Sequence, residues 1–108
     1  MMKLHWSPRS PFVRKVMVAA HELGLADRIQ TTRTLVGGAI VAPQLLPDNP
    51  LNKIPTLVLE DGTVLYDSYV IVEYLDSLAG FRLIPREGPA RFTELRRHAL
   101  GNGFLDML

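Results

Sequence analysis

Within its first thirty-six residues the chain changes hydrophobic period twice, and that change limits the fold more than any other feature. Met2, Leu4 and Trp6 alternate with Lys3 and His5, the period-two pattern of a short half-buried strand. Ser7-Pro8-Arg9-Ser10-Pro11 interrupts it as a loop, and Ser10 followed by Pro11 sets a capping serine directly before a proline at the first helical position. Phe12, Val13, Val16, Met17, Ala20 and Leu23 then recur at three- and four-residue spacing opposite Arg14, Lys15 and Glu22, and Gly24 stops the run, which predicts a helix over 11–23. A β-branched alternating run over 29–36, closed by Gly37-Gly38, returns to period two. Strand, helix, strand is a βαβ unit with parallel strands and a right-handed crossover, and its ligand is expected at the strands' C-terminal ends, around residues 7–12.

Downstream, 37–49 is rich in Gly, Pro and Ala without a firm period and reads as irregular, with at most a short helix near 39–46. Strands over 56–59 and 64–66 flank Asp61-Gly62, the pair that tight primed hairpin turns prefer. Asp67-Ser68 is a second capping signal, followed by a helix carrying Tyr69, Val70, Val72, Glu73, Leu75 and Leu78 and closed by Gly80. The order β-α-β-α-β-β-α, with a mixed four-stranded sheet and flanking helices, is complete as an α/β domain over 1–80. Residues 81–89, with Pro85, Gly88 and Pro89, read as a linker. The segment 90–108 looks helical through Phe92, Leu95 and Ala99 but finishes on Phe104, Leu105, Met107 and Leu108. Four large apolar residues at an end predict a partner or more chain, so this chain reads as the front part of a larger protein whose exposed tail drives self-association.

Composition removes whole classes of function. With no Cys there is no disulfide framework, thiolate metal site, redox pair or covalent Cys nucleophile. Twelve bases against eleven acids give a net charge of +1, too balanced for a broad nucleic-acid or membrane-binding face. Charge is uneven all the same: residues 1–58 carry seven bases and three acids, which reads first as solvated faces of surface helices and otherwise as favouring a small anion near the N-terminal half. No apolar stretch approaches the eighteen or so residues needed to span a bilayer, and Met1–Trp6 leads into Ser-Pro without a signal-peptide core, so a cytoplasmic location is expected. His5, His21 and His98 lack metal-ligand spacing, which predicts no metal, and neither a phosphate loop nor a dinucleotide fingerprint is present.

Three motifs in this order, Ser10-Pro11-Phe12, Asn49-Pro50-Leu51-Asn52-Lys53-Ile54-Pro55, and Asp61-Gly62 with Leu65, Asp67 and Ser68, resemble the N-terminal domain of glutathione S-transferases. The resemblance covers 1–80 continuously, and 90–108 resembles the first helix of that family's all-helical second domain. It implies a thioredoxin-like fold, glutathione as co-substrate, a homodimer, and a role in detoxification by transfer of glutathione to a small electrophile. The family's second domain supplies most of the electrophile pocket, so residues 1–108 alone are expected to conjugate poorly. A protein-interaction module of the same fold that catalyses nothing is the alternative. Reduction through a mixed disulfide would need a cysteine where Ser10 stands.

The resemblance also assigns roles. The thiol of glutathione has a pKa of about 8.5, so the catalyst must stabilise the thiolate, and lowering that value by roughly two units takes about 2.7 kcal/mol. A hydroxyl donor at the positive end of a helix can supply this. In serine-type members the serine before Pro-Phe does so, which makes Ser10 the catalytic candidate; a plain N-cap is its other reading, and Ser7 is the substitute. Tyr66 and Tyr69 are less suited because both fall on core-forming elements. An X-Pro bond is ordinarily trans, whereas the family implies a cis Ile54–Pro55 bond that turns the Ile54 backbone outward to pair with the cysteinyl unit of glutathione as an added strand. Asp67 and Ser68 would hold the γ-glutamyl ammonium and carboxylate at a helix N-terminus, and Lys53 the glycyl carboxylate. Many relatives place Lys, Gln or His for that carboxylate near the second helix, where this sequence offers only Gln44.

Overall fold

Strand β1 (Met2–Trp6) lies inside the sheet of the computed structural model, which describes residues 1–37 and 40–107. The loop after it ends in helix α1 (Pro11–Glu22), where the Ser10 hydroxyl accepts from Val13 N at 3.1 Å and proline occupies the first turn. A short 3-10 turn (Ala26–Arg28) leads to β2 (Ile29–Arg33), which pairs parallel to β1 from Met2↔Ile29 to Trp6↔Arg33. Strands β3 (Thr56–Val58) and β4 (Val64–Leu65) complete the sheet in the order β2-β1-β3-β4, both new pairings antiparallel. Helix α2 (Ser68–Leu78) follows, capped by the Asp67 carboxylate on Tyr69 N at 3.1 Å, and α3 (Pro89–Asp106) closes the chain. Apolar stripes of α1 and α2 cover one sheet face: Leu4, Val13, Val16, Ala20, Leu57, Ile71 and Leu75 are all buried there.

Four expectations change. The helix near 39–46 does not form over the described part of that segment: residues 43–48 are consecutive turns, with Asp48 N on Leu45 O at 2.9 Å, because Pro43 and Pro47 withhold donors and block a continuous ladder. The hairpin turn is a three-residue loop closed by Leu59 N on Thr63 O at 2.8 Å, with Gly62 at φ 89°, rather than a two-residue primed turn. Strand β2 stops at Arg33, although Thr34 N still reaches Trp6 O at 2.8 Å. His5 is buried instead of facing water, its Nδ1 3.0 Å from Thr34 Oγ1 and its Nε2 2.8 Å from Asp48, because the 42–49 segment folds over the second sheet face.

The stretch read as a linker is anchored at its start. Phe81 N bonds Asp76 O at 2.8 Å, while the buried Asp76 carboxylate accepts from Leu83 N at 2.8 Å and Ile84 N at 2.7 Å, and Ile84 is itself buried. Helix α3 begins at Pro89, one residue before the expected start, and leans on α2 through an Arg91–Glu73 ion pair at 2.7 Å and a Tyr69–His98 ring stack at 4.1 Å. Its Phe92, Leu100, Phe104 and Met107 side chains are exposed; Leu108 lies outside the described residues.

Candidate functional site

Two hollows share the loop that enters the inner strand β3. Asn49, buried at its base, accepts from Leu51 N at 2.9 Å and donates to Lys53 O at 3.2 Å and Thr56 Oγ1 at 3.0 Å, while Thr56 Oγ1 donates to Lys53 O at 2.8 Å. Asn52 exchanges two hydrogen bonds with the Ala42 main chain, each 2.9 Å. These bonds hold the loop rigid up to Ile54, whose bond to Pro55 is cis.

One hollow, about 200 Å³, is walled by Phe12, Lys53, Ile54, Asp67, Ser68 and Asn102 among others. The second, about 500 Å³, is walled by Ser7, Arg9, Ser10, Leu35, Lys53 and Ile54 among others. Of the residues singled out in the sequence, Lys53, Ile54, Pro55, Asp67 and Ser68 therefore meet in the first hollow, and Ser10 stands in the second, across the shared Lys53-Ile54 segment. Gln44 is exposed and lines neither of them. Tyr66 is exposed and lines the first hollow, so it is not the core residue expected, whereas Tyr69 is half-buried under His98.

Ser7 and Ser10 line the same hollow and differ in exposure. The Ser10 oxygen accepts from Val13 N, which leaves its O–H as a donor toward the hollow. Ser7 is buried, and its oxygen accepts from Arg9 N at 3.2 Å. Ser68, at the start of α2, is also buried and donates to Asn102 Oδ1 at 3.5 Å. The exposed Asp67 carboxylate caps the same helix. Among the described residues no three His, Asp or Glu side chains cluster as a metal site, and no helix is long and apolar enough to cross a membrane.

Sequence reasoning missed the contacts behind Ser68. Lys15, assigned to the solvent face of α1, is half-buried, and its Nζ donates to Asn102 Oδ1 at 2.5 Å and to His98 Nε2 at 2.9 Å. The only signal in the sequence was that Lys15, His98 and Asn102 could each fall on a helix. Burial lowers the Lys15 pKa, opposed by Asp67 and Asp106. Burial, reinforced by the Lys15 charge and opposed by Glu73 and Asp67, lowers the pKa of His98. Neutral His98 can accept from the ammonium through Nε2; its buried Nδ1 has no partner among the described residues.

Because the folded pKa of His98 lies below its ordinary 6.5, the unfolded chain binds the proton more readily. The contribution to stability is complete above about pH 6.5 and is lost as pH falls through the folded value. Thermal melting is expected to drop between pH 7.5 and pH 5, with a shallower drop for His98→Gln. An unchanged pH slope in that variant would show that other groups set it.

A parallel β-α-β unit followed by an antiparallel β-β-α unit on one sheet defines the class, a thioredoxin-like α/β domain. The family model for the N-terminal domain of glutathione S-transferase matches residues 9–78, and the chain belongs to that family. A glutathione transferase family member from Pseudomonas fluorescens Pf-5, solved with bound glutathione, is 45% identical with a TM-score of 0.93, over 98% of this chain and 52% of that one. A glutathione S-transferase from Methylobacillus flagellatus KT, also with glutathione bound, is 40% identical with a TM-score of 0.81, over 95% of this chain and 50% of that one. The uncharacterized GST-like protein YibF of Escherichia coli (strain K12) is 34% identical over 107 residues, 97% of this chain and 50% of its own length. The chain thus spans about half the length of these relatives.

Proposed function

We propose that this chain binds glutathione across the Lys53-Ile54 segment and, in serine-type fashion, uses Ser10 to hold the thiol as thiolate for attack on a small electrophile. One observation carries the reading: the segment suited to pair with a peptide backbone separates a hollow with the Asp67-Ser68 helix start from a hollow with the Ser10 hydroxyl. In this reading the γ-glutamyl end lies in the first hollow, its ammonium toward Asp67 and its carboxylate on Ser68 and the α2 amides. The cysteinyl unit runs along Ile54 and Pro55, and Lys53 takes the glycyl carboxylate. No metal takes part. Residues 1–80 form the glutathione-binding unit, 81–89 the connection, and 90–108 the first helix of a helical domain that shapes the electrophile site. The exposed Phe92, Leu100, Phe104 and Met107 side chains favour a homodimer, and they also support the second reading, a non-catalytic interaction module. The setting is cytoplasmic detoxification.

Titration calorimetry with millimolar glutathione tests binding directly. Heat of association is expected for the folded chain, and Asp67→Ala and Ser68→Ala should each weaken it about tenfold, the scale of a lost hydrogen bond to a charged group. A folded sample that gives no heat would sink the glutathione reading and leave the interaction module.

A further inference from the structure

The two hollows that share Lys53 and Ile54 differ in charge. Asp67 and Asp106 line the first beside Lys53. Arg9 and Lys53 line the second, and no acid stands with them among the described residues that wall it. Among the described residues neither cation is held by a carboxylate. The second hollow is also the larger, about 500 Å³ against about 200 Å³, and Leu35 and Ile40, both exposed, give it an apolar wall. In the pose proposed above, the glycyl carboxylate occupies Lys53 and the sulfur lies by Ser10. That leaves Arg9, the residue directly before Ser10, as a cation without an assigned anion in the hollow where the thiolate would react.

From this we infer that Arg9 is a specificity residue for the second substrate, and that the electrophile it selects is a small acid with a carboxylate one or two carbons from the carbon attacked. This rests on the glutathione reading above and adds the substrate class to it. Thiolate and carboxylate repel, so an acidic electrophile approaches a bound thiolate against its charge unless a cation stands at the site. A guanidinium is always protonated and presents a planar fork of donors that matches a carboxylate. Successive Cα atoms lie about 3.8 Å apart, so a carboxylate on Arg9 and a sulfur on Ser10 are held a few bond lengths from one another, which limits the acid to a short one. A 2-haloalkanoate illustrates the step. A sulfur lone pair forms the S–C bond at carbon 2, the carbon–halogen bond breaks, and the halide leaves with its electron pair; the thiol proton has already gone to solvent when the thiolate formed. Leu35 and Ile40 offer apolar contact to the alkyl part.

The conjugates test this without turnover, which residues 1–108 alone are expected to perform poorly. S-carboxymethylglutathione and S-carbamoylmethylglutathione have nearly the same shape and differ by one charge on the added group. In calorimetry on the 108-residue chain at low ionic strength, the acid conjugate is expected to bind about fivefold more tightly than the amide, the upper range for an exposed ion pair. Most of that difference should vanish in about 1 M NaCl, where charges are screened within about 3 Å. Arg9→Gln should bring the two conjugates to equal affinity and leave glutathione itself unchanged. The substitution keeps the main-chain N–H that bonds Ser7 Oγ, so the loop retains its shape. Equal binding of the two conjugates to the unaltered chain overturns the inference while the glutathione reading stands. Weaker binding of glutathione itself to Arg9→Gln also overturns it, since Arg9 would then serve the glycyl carboxylate. If the unaltered chain gives no heat with glutathione, the glutathione reading falls, and this inference falls with it.

Discussion

Ser10→Ala is expected to raise the pKa of bound glutathione's thiol by about two units, equivalent to about 2.7 kcal/mol, and to slow conjugation roughly a hundredfold. Glutathione affinity should barely change, since in the proposed pose the γ-glutamyl group would lie in the hollow that Ser10 does not line. Two features set the size. The Ser10 oxygen is occupied by Val13 N, so the hydroxyl hydrogen is available to the sulfur, and the α1 N-terminus adds its dipole at the same place. Ultraviolet titration of the thiolate in the binary complex measures the shift on this chain without needing an electrophile. The substitution also removes a helix cap, at a cost of about 1 kcal/mol of stability, so the titration belongs well below the melting point. If Ser7→Ala raises the thiol pKa and Ser10→Ala does not, the wrong serine has been chosen.

Asp76→Ala should destabilise the fold by about 3 kcal/mol, a large share of the roughly 5–15 kcal/mol that such domains possess. The buried carboxylate is the acceptor for both Leu83 N and Ile84 N. Truncation strands two amides away from water, each at about 1–3 kcal/mol, and frees Ile84 from its buried seat. Thermal denaturation followed by circular dichroism is expected to shift down by more than about 10 °C. Asp76→Asn, which keeps one carbonyl oxygen, should fall between the two. A shift of only a degree or two would mean that the 81–84 segment contributes little to the stability of the domain.

How much the sequence revealed depended on whether a feature was local. The β1-α1-β2 unit was legible because hydrophobic period is a property of neighbouring residues, and Ser10-Pro11 and Asp67-Ser68 were legible as helix starts because capping is satisfied within three residues. The parallel pairing of β1 with β2 and the antiparallel hairpin of β3 and β4 followed from period and turn residues, whereas the pairing of β1 with β3 that joins the two units came only from the fold. The candidate site was half legible: five named residues meet around one hollow, but their relation to Ser10, in a second hollow across Ile54, was not.

Tertiary structure alone decided which polar residues would be buried. His5 occupies what the alternating pattern marks as a solvent position, yet the 42–49 segment covers it and Asp48, forty-three residues on, meets its ring. Lys15 looks like any surface lysine of an amphipathic helix until α3 brings His98 and Asn102 to it from 83 and 87 residues away. Periodicity reports that one face of a helix or strand is apolar; it carries no information about what settles on the other. Burial of a charged or polar group is set by the docking of distant segments, whose contacts depend on the summed packing of the whole chain, and so Lys15, His98 and Asn102 became readable as a cluster only once the fold was in place.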